Sequence, residues 1–278
     1  MANHLTLEEK SRAVSLLVEG NSLRATTRLT GIHRTTIQDL LVRIGDGAAL
    51  LLDQAMRGLK CKRLQADEIW TYVGKKQRHL AVGDDESRMG DFYTYVALDS
   101  ESKVIPCYRV AKRNGKETHA FLQDLAGRLD GRIQLSADEY QPYVAAVRKA
   151  FGDRVDFGQM VKFFEVCKEG ERRYSPPHVS RVVRKAVVGS PDGSHISTAY
   201  VERQNLSIRM GCRRFTRLTN AFSKKLENLK AAVALHMAHY NFCRPHSTVK
   251  TTPAVAAGVV PAPWTVEELI RQTDWRID

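Results

Sequence analysis

The chain has few cysteines, no long hydrophobic run and a shortage of acidic residues. Its five cysteines are scattered through 278 residues, and no two of them form a Cys-x-x-Cys pair. This spacing argues against a disulfide framework and a structural zinc site, and it favours reduced thiols. No apolar run reaches the roughly 18 residues that cross a bilayer, and the amino terminus has no signal-peptide core. We therefore expect a cytoplasmic protein without a membrane partner.

The shortage of acidic residues leaves a strongly basic chain. Lys and Arg number 43 against 31 for Asp and Glu, so the net charge is +12 and the pI is near 9.6. A positive excess of this size favours a nucleic-acid partner, although a basic soluble protein is the alternative. The length is enough for one substantial core and a small accessory domain.

Residues 1–45 have the pattern of a separate helical domain. Thr6 and Glu9 form a capping-box start, Ser22 can cap a second helix, and a glycine turn precedes a third helix. This arrangement is typical of a helix-turn-helix DNA-binding domain, and a three-helix scaffold without DNA contacts is the alternative. The residues at the start and exposed face of the third helix that can contact phosphates and base edges are Arg34, Thr35, Thr36 and Gln38.

The remaining chain predicts a larger α/β domain. The glycines at 45 and 47 indicate a linker over residues 46–60, followed by a catalytic domain at 61–250 and a C-terminal tail at 251–278. The predicted order is three strands, helix, strand, helix, strand, then helices, with Pro106 indicating an edge or bulged strand. This order is similar to that of ribonuclease-H-like nucleotidyl transferases, in which a mixed sheet is flanked by helices and its first and fourth strands are neighbours. Residues 168–194 predict a flexible loop that faces DNA.

Three acidic residues lie in local structures that would let them converge. Asp67 lies in a strand-like run, Asp138 ends another, and Glu202 lies in a predicted helix that precedes several arginines. Carboxylates that are brought together repel one another, and such a group usually holds divalent metal. Two Mg²⁺ or Mn²⁺ ions about 3.5–4 Å apart are the standard device for in-line attack at a phosphodiester. The three carboxylates therefore predict phosphoryl transfer on nucleic acid.

Each of the two aspartates has an acidic neighbour. Because successive side chains of a strand point to opposite faces, only one of Asp67 and Glu68 can point into a common site. Glu139 creates a similar ambiguity beside Asp138. We select the two aspartates by their position in the motifs.

Basic residues cluster around the predicted site. Few acidic partners lie at i+4 in the arginine-rich segment, so a phosphate-tracking surface is favoured over a solvated helix face. Trp70 is more typical of a core aromatic than of a base-stacking residue, and His236 and His239 are typical of structural or interface positions. Outside the helix-turn-helix, the residues predicted to bind DNA are Lys75, Lys76, Arg203, Arg209, Arg213, Arg214, Arg217, Lys224 and Lys225.

The segment around Glu202 resembles a known family. YVERQNL at 200–206 and RRFTRLTNAFSKK at 213–225 closely resemble the carboxy-terminal region of DDE transposases of the Insertion Sequence One family. DEIW at 67–70 and YNFCRPH at 240–246 are similar to further motifs of that family. The resemblance covers roughly residues 60–258. The chain departs from the family in lacking an amino-terminal zinc-binding cysteine cluster and in having Glu139 after Asp138.

The resemblance implies a ribonuclease-H-like fold with Asp67, Asp138 and Glu202 as catalytic triad and metal ligands. It implies two Mg²⁺ ions, or Mn²⁺ in their place, and cleavage and strand transfer at the terminal inverted repeats of an insertion sequence. Its implied partners are double-stranded repeat and target DNA, bound by a homodimer or larger assembly in a bacterial or archaeal nucleoid. A domesticated DNA-binding regulator and a nuclease remain alternatives. The roles of His195 and His246 stay open.

Overall fold

A six-stranded mixed sheet flanked by helices organises the chain. The computed structural model describes residues 4–165 and 179–275. The strands are β1 (Arg63–Val73), β2 (Gly90–Asp99), β3 (Cys107–Ala111), β4 (Ile133–Asp138), β5 (Val155–Phe164) and β6 (Val179–Val188). They lie in the order β3-β2-β1-β4-β5-β6. The β1–β4 and β4–β5 pairs are parallel, and the other pairs are antiparallel.

The helices lie before, between and after the strands. They are α1 (Leu7–Val18), α2 (Leu23–Thr30), α3 (Arg34–Ala55), α4 (Gly115–Arg128), α5 (Pro142–Phe151), α6 (Ala199–Gly211), α7 (Leu226–Ala238), α8 (Pro253–Ala256) and α9 (Val266–Thr273). The capping box of Thr6 and Glu9 begins α1, and the Ser22 hydroxyl accepts a hydrogen bond at the start of α2, as the sequence predicts. Among the described residues, no helix has the length and apolarity that a bilayer crossing requires.

The predicted order of strands and helices is found between β1 and β5. β1 and β4 are neighbours, with Ala66 opposite Ala137. β3 lies at the edge of the sheet and begins immediately after Pro106, which agrees with the predicted edge strand. The last strand of the predicted order is β5, which runs without a break from Val155 to Phe164.

The predicted loop at 168–194 is in part a strand. β6 pairs antiparallel with β5 and forms the second edge of the sheet. Its valine-rich sequence, VSRVVRKAVV, suits a strand because β-branched side chains pack well on a pleated surface. The loop prediction for residues 179–188 is therefore wrong, and residues 168–178 lie outside the described residues.

The predicted linker is helical through Ala55. α3 continues through Gly45 and Gly47, whose usual role in sequence is to interrupt a helix. Both glycines lie where α3 touches other parts of the chain. A Cβ atom at Gly45 would lie 2.4 Å from the carbonyl oxygen of Ala231, and one at Gly47 would lie 1.9 Å from that of Thr273. The glycines thus permit close helix packing rather than a change of direction.

The amino-terminal helices share one hydrophobic core with the rest of the molecule. Leu40 of α3 belongs to the same buried cluster as Leu229 of α7 and Leu269 of α9. The Asp274 carboxylate, fully buried after α9, lies 3.0 Å from the Lys10 ammonium and 2.7 Å from the Arg43 guanidinium. The predicted separate unit at 1–45 and the predicted tail at 251–278 therefore pack against each other.

Candidate active site

The predicted aspartates lie on adjacent strands, Asp67 within β1 and Asp138 at the end of β4. The parallel pairing of β1 and β4 puts Ala66 opposite Ala137, and Asp67 and Asp138 follow directly. The first turn of α6 is held on β1 because the Gln65 side-chain oxygen accepts hydrogen bonds from the backbone N–H groups of Tyr200 and Val201, at 2.8 and 3.1 Å. This contact fixes α6 on the face that carries Asp67.

The three predicted carboxylates share one electrostatic environment. Burial raises the pKa of Asp67 to about 7, a hydrogen bond from the Glu68 N–H opposes this, and the charges of Asp138 and Glu202 add to the increase. Asp67 Oδ1 accepts the Glu68 N–H at 2.8 Å, and its Oδ2 accepts the Asn205 side-chain amide at 2.7 Å. A cation close to this group would favour its charged form.

Lys162 of β5 lies between the other two carboxylates. Its Nζ is 3.5 Å from Asp138 Oδ1 and forms an ion pair with Glu202 Oε1. Thr198 Oγ1 is 3.2 Å from both Lys162 Nζ and Asp138 Oδ1, and it also hydrogen-bonds to Glu202. Burial raises the pKa of Asp138, and the Lys162 ammonium opposes that increase. Lys162 thus supplies the positive charge between Asp138 and Glu202.

The oxygen donors of this site fit a hard divalent cation in their chemistry. Carboxylate, amide and hydroxyl oxygens are the ligands that Mg²⁺ and Mn²⁺ prefer. Asn205 is buried beside Asp67, and its amide oxygen accepts no hydrogen bond from the described part of the chain. Within residues 4–165 and 179–275, however, no three His, Cys, Asp or Glu side chains form a ready-made metal cluster. The Lys162 side chain would have to move for one ion to contact Asp138 and Glu202 together.

The two acidic neighbours have different surroundings. Glu68 points to the opposite face of β1, where its Oε2 accepts a hydrogen bond from Arg113 Nε at 3.0 Å and its side chain is 6% exposed. Tyr143 of α5 also interacts with Glu68. Glu139 is exposed, and its carboxylate lies 4.0 Å from the Lys185 ammonium on β6. Strand alternation therefore turns Asp67, and not Glu68, toward α6.

A basic groove lies between the amino-terminal helices and the segment after α6. Its volume is about 710 Å³, and none of its described lining residues is acidic. We call it the basic groove. Five of its lining residues are far apart in sequence, and all five were predicted to bind DNA. These residues are Arg34, Gln38, Arg213, Arg214 and Lys224.

The other predicted DNA contacts lie outside the basic groove. Arg209 lies near both Asp67 and Arg217: burial lowers its pKa, Arg217 lowers it further, and Asp67 opposes this. Lys75 forms an ion pair with Asp84 at 2.7 Å. Lys76 and Arg217 line a second groove, and Arg203 lines a third. Thr35, Thr36 and Lys225 line none of these three grooves.

Four residues around the carboxylates were missed from sequence. Gln65 holds α6 on β1, and Lys162, Thr198 and Asn205 contact the acids directly. Thr198 precedes Glu202 by one helical turn, and Asn205 follows it by three residues, so helical spacing could have identified both. Lys162 carries no such signal, because its position depends on the pairing of β4 with β5.

Comparisons with known proteins find distant structural likenesses. No family model matches the chain, and no curated protein matches it. A Mos1 transposase paired-end complex with left transposon end is 14% identical over 54% of this chain and 57% of that chain, with a TM-score of 0.20. A piggyBac transposase synaptic complex with hairpin DNA is 12% identical over 98% and 71%, with a TM-score of 0.37. The Mos1 strand transfer complex is 12% identical over 86% and 78%, with a TM-score of 0.27.

Proposed function

We propose that this protein is a DDE-type DNA transposase, a metal-dependent polynucleotidyl transferase that acts on double-stranded DNA. The observation that carries the proposal is the convergence of Asp67, Asp138 and Glu202 from β1, β4 and α6. The strand order, with β1 beside β4, supports a ribonuclease-H-like catalytic domain. Membership of the Insertion Sequence One family and action on terminal inverted repeats are part of the proposal and derive from the sequence motifs.

The chemistry assigned to the site follows from its side chains. Asp67, Asp138 and Glu202 would hold Mg²⁺ or Mn²⁺, and the bound metal supplies activation of the attacking oxygen and stabilisation of the leaving oxygen. Asn205 orients the Asp67 carboxylate through its amide N–H. Thr198 orients Glu202 and Asp138 through its hydroxyl. Arg209, near Asp67, is suited to contact a DNA phosphate.

DNA binding is assigned to the basic groove. Arg34 and Gln38, at the start of the predicted recognition helix, line the groove together with Arg213 and Lys224. A groove with several cations and no described acidic lining residue favours the phosphate backbone. Transposition joins two element ends, so we also propose that the active form on DNA is a homodimer or larger.

Strand cleavage tests the proposal directly. A duplex containing the DNA that flanks the gene is incubated with protein and Mg²⁺ or Mn²⁺, and nicked and joined products are measured. We expect cleavage by the wild type and at least a hundredfold loss in Asp67→Asn, Asp138→Asn and Glu202→Gln, with DNA binding retained. Glu139→Gln is the matched control and should remain active. Metal-dependent cleavage that persists in Glu202→Gln would contradict the site.

A DNA-binding regulator without cleavage is the second candidate. The position of Lys162 favours it, because an ammonium already neutralises two of the three carboxylates. The same experiment separates the candidates. A regulator would bind the flanking DNA but would leave it intact with either metal, and the three carboxylate substitutions would have no effect on any activity.

A further inference from the structure

The groove that Arg203 lines extends along the face of α6 that points away from the carboxylates. Tyr200 and Ser207 also line it. Because each residue turns a helix by about 100°, these two residues lie on the side of α6 opposite to Glu202 and Asn205. The end of β2 and the segment after α7 form the other walls. The volume of this groove is about 400 Å³, and we call it the α6 groove.

The α6 groove concentrates positive charge. Lys103, Arg203 and Arg244 line it together with His246, and none of its described lining residues is acidic. Arg203 and Arg244 are exposed, and neither forms an ion pair within residues 4–165 and 179–275. Three cations in one cleft repel one another and create a positive potential there. The groove therefore offers a favourable position to an anion.

The first part of the YNFCRPH motif anchors the wall of the α6 groove that contains Lys103. The Tyr240 hydroxyl donates to the Lys103 carbonyl at 2.9 Å. The Asn241 side chain makes two hydrogen bonds of 3.0 Å with the Ile105 backbone: its oxygen accepts from the N–H group, and its amide donates to the carbonyl. Both side chains are buried. These contacts hold the residues after β2 against the segment that follows α7.

The rest of this motif supplies Arg244 and His246 to the α6 groove. A π-helical turn over His239–Cys243 closes with a hydrogen bond of 2.9 Å from the Arg244 N–H to the His239 carbonyl. Such turns are rare and are frequently found at functional sites. His246 Nδ1 accepts the Thr248 N–H at 3.2 Å, so the proton of the neutral ring is on Nε2, which can donate to a ligand.

Lys103 has a strained backbone beside the α6 groove. Its φ is 65°, a left-handed conformation in which glycine is normally favoured. The residue is buried, and its ammonium lies 3.3 Å from the centroid of the Tyr200 ring and donates to the Ser100 carbonyl. Residues held in such conformations cluster at ligand sites, where the surrounding contacts keep them in place. Lys103 thus brings a fixed positive charge to the groove.

Gln204 carries an amide group without a partner next to these cations. It lines the α6 groove and is 4% exposed, and its Nε2 has no hydrogen-bond partner in the described part of the chain. A buried donor without a partner is destabilising. A rotation of the terminal amide toward the groove would let it donate to a bound anion, which would remove this cost.

We infer that the α6 groove binds a backbone phosphate of DNA on the side of α6 opposite to the carboxylates. Arg203 and Arg244 pair with the phosphate oxygens, and His246 Nε2 and the Gln204 amide donate to them. Because α6 with its side chains is about 10–12 Å across, this phosphate is not the one that reacts at the carboxylates. The inference rests on the proposed action on DNA and adds a contact outside the basic groove.

The test is the salt dependence of DNA binding in EDTA, where strand cleavage has no part in the result. Affinity for a fluorescent duplex is measured by anisotropy over about 50–200 mM NaCl. Arg203→Gln and Arg244→Gln should each reduce the slope of log affinity against log salt by about 0.9 for each lost phosphate contact. The double variant should lose about twice as much. Equal thermal unfolding midpoints verify that the variants are folded.

His246→Ala tests the neutral donor. Near pH 8 the histidine ring is uncharged, so this variant should weaken binding about equally at every salt concentration and keep the wild-type slope. Arg148→Gln is the matched control, because Arg148 is exposed on α5, which lies on the other face of the sheet, where Tyr143 contacts Glu68. It should change neither the affinity nor the slope.

Inorganic phosphate distinguishes a DNA phosphate from a small free anion. A groove that binds only free phosphate would raise the thermal unfolding midpoint of the wild type in phosphate, relative to chloride at equal ionic strength. This increase would be absent in Arg244→Gln, and the DNA slopes of all variants would be unchanged. That outcome would overturn the α6 groove as a DNA site.

The outcomes also separate this inference from the proposed function. Unchanged slopes in both arginine variants would overturn the α6 groove even if the protein cleaves DNA. A slope that falls equally in Arg148→Gln would also overturn it, because the loss would then reflect net charge alone. A reduced slope in either arginine variant, with Arg148→Gln unchanged, supports the groove even if no cleavage occurs. A wild type that does not bind the duplex contradicts both proposals.

Discussion

Lys162 is the residue on which the interpretation of the carboxylates most depends. Its ammonium contacts Asp138 and Glu202, and its side chain is 17% exposed. Without this charge the two acids would repel each other in a partly buried position. Lys162 therefore stabilises the metal-free protein and competes with any metal ion for the same carboxylates.

Replacing Lys162 by Met should have opposite effects in the absence and the presence of metal. In EDTA the variant should lose about 1–2 kcal/mol of unfolding free energy, a value between those of exposed and buried ion pairs. In MnCl₂ it should gain more stability than the wild type does, because the ion no longer competes with an ammonium. Thermal unfolding over a Mn²⁺ titration measures both effects.

Lys185→Met provides the control for this prediction. Lys185 is exposed and lies 4.0 Å from Glu139, so its loss should change neither the stability in EDTA nor the Mn²⁺ titration. Identical Mn²⁺ titrations of Lys162→Met and wild type would contradict competition between lysine and metal.

His236 should make the protein sensitive to acid. It is buried in α7, neither ring nitrogen has a hydrogen-bond partner in the described part of the chain, and burial lowers its pKa to about 3. In the unfolded state His236 takes up a proton near pH 6.5, whereas in the folded state its pKa is about 3. The free energy of unfolding therefore falls as the pH decreases from about 6.5 to about 3. The expected slope is up to about 1.4 kcal/mol per pH unit for this group.

The measurement is the free energy of unfolding in urea from pH 7 to pH 4.5. His236→Gln should remove most of that slope from the pH dependence, whereas the exposed His79→Gln should keep it. The neighbouring His239, whose pKa burial lowers to about 4, contributes a similar slope of its own. An unchanged slope in His236→Gln would mean that His236 is protonated in the folded state.

At the scale of elements, α3 shows how packing reverses the usual effect of glycine. An alanine in a helix interior is normally about 1 kcal/mol more favourable than glycine. At Gly47 the added methyl group would lie 1.9 Å from the Thr273 carbonyl oxygen, so α3 and α9 would have to separate. Gly47→Ala should therefore destabilise the protein by about 1–3 kcal/mol, the usual cost of overpacking.

Gly127→Ala in α4 is the matched control, because the nearest atom to the added methyl group is an Arg57 side-chain nitrogen at 4.0 Å. This variant should be as stable as the wild type or up to about 1 kcal/mol more stable. Urea unfolding of both variants measures the difference. A stabilised Gly47→Ala protein would contradict the close contact between α3 and α9.

At the scale of the whole molecule, the basic groove unites residues that are far apart in the chain. Arg34 from α3 and Lys224 before α7 line the same groove, so both should contact the same DNA. Replacing each by Gln should reduce the slope of log affinity against log salt by about 0.9 for each lost phosphate contact. The double variant should lose about twice as much, as measured by fluorescence anisotropy with a duplex.

Glu139→Gln, outside the groove, is the control and should leave the salt slope unchanged. If Arg34→Gln weakens binding without any effect of Lys224→Gln, DNA follows the amino-terminal helices alone, which would contradict the predicted DNA contact of Lys224. A decrease in both single variants supports one continuous binding surface.

The sequence alone determined the local features of this protein. Caps, hydrophobic periodicity and turn residues depend on neighbours a few positions away, so the starts of α1 and α2 and the order of strands and helices from β1 to β5 could be predicted. The motifs around Asp67, Asp138 and Glu202 also identified the acids that the fold brings together. Strand alternation allowed only one of Asp67 and Glu68 to face the site, and the position in the motif selected Asp67.

Tertiary structure decided the features that depend on distant contacts. The glycines of α3 predict a linker from sequence, and only their contacts with Ala231 and Thr273 explain why they lie inside a helix. β6 forms a strand because it pairs with the edge of β5. Lys162 joins Asp138 and Glu202 only through the pairing of β4 and β5. These contacts join residues that are far apart in sequence. Local sequence patterns do not encode such distances, so the contacts are known only from the tertiary structure.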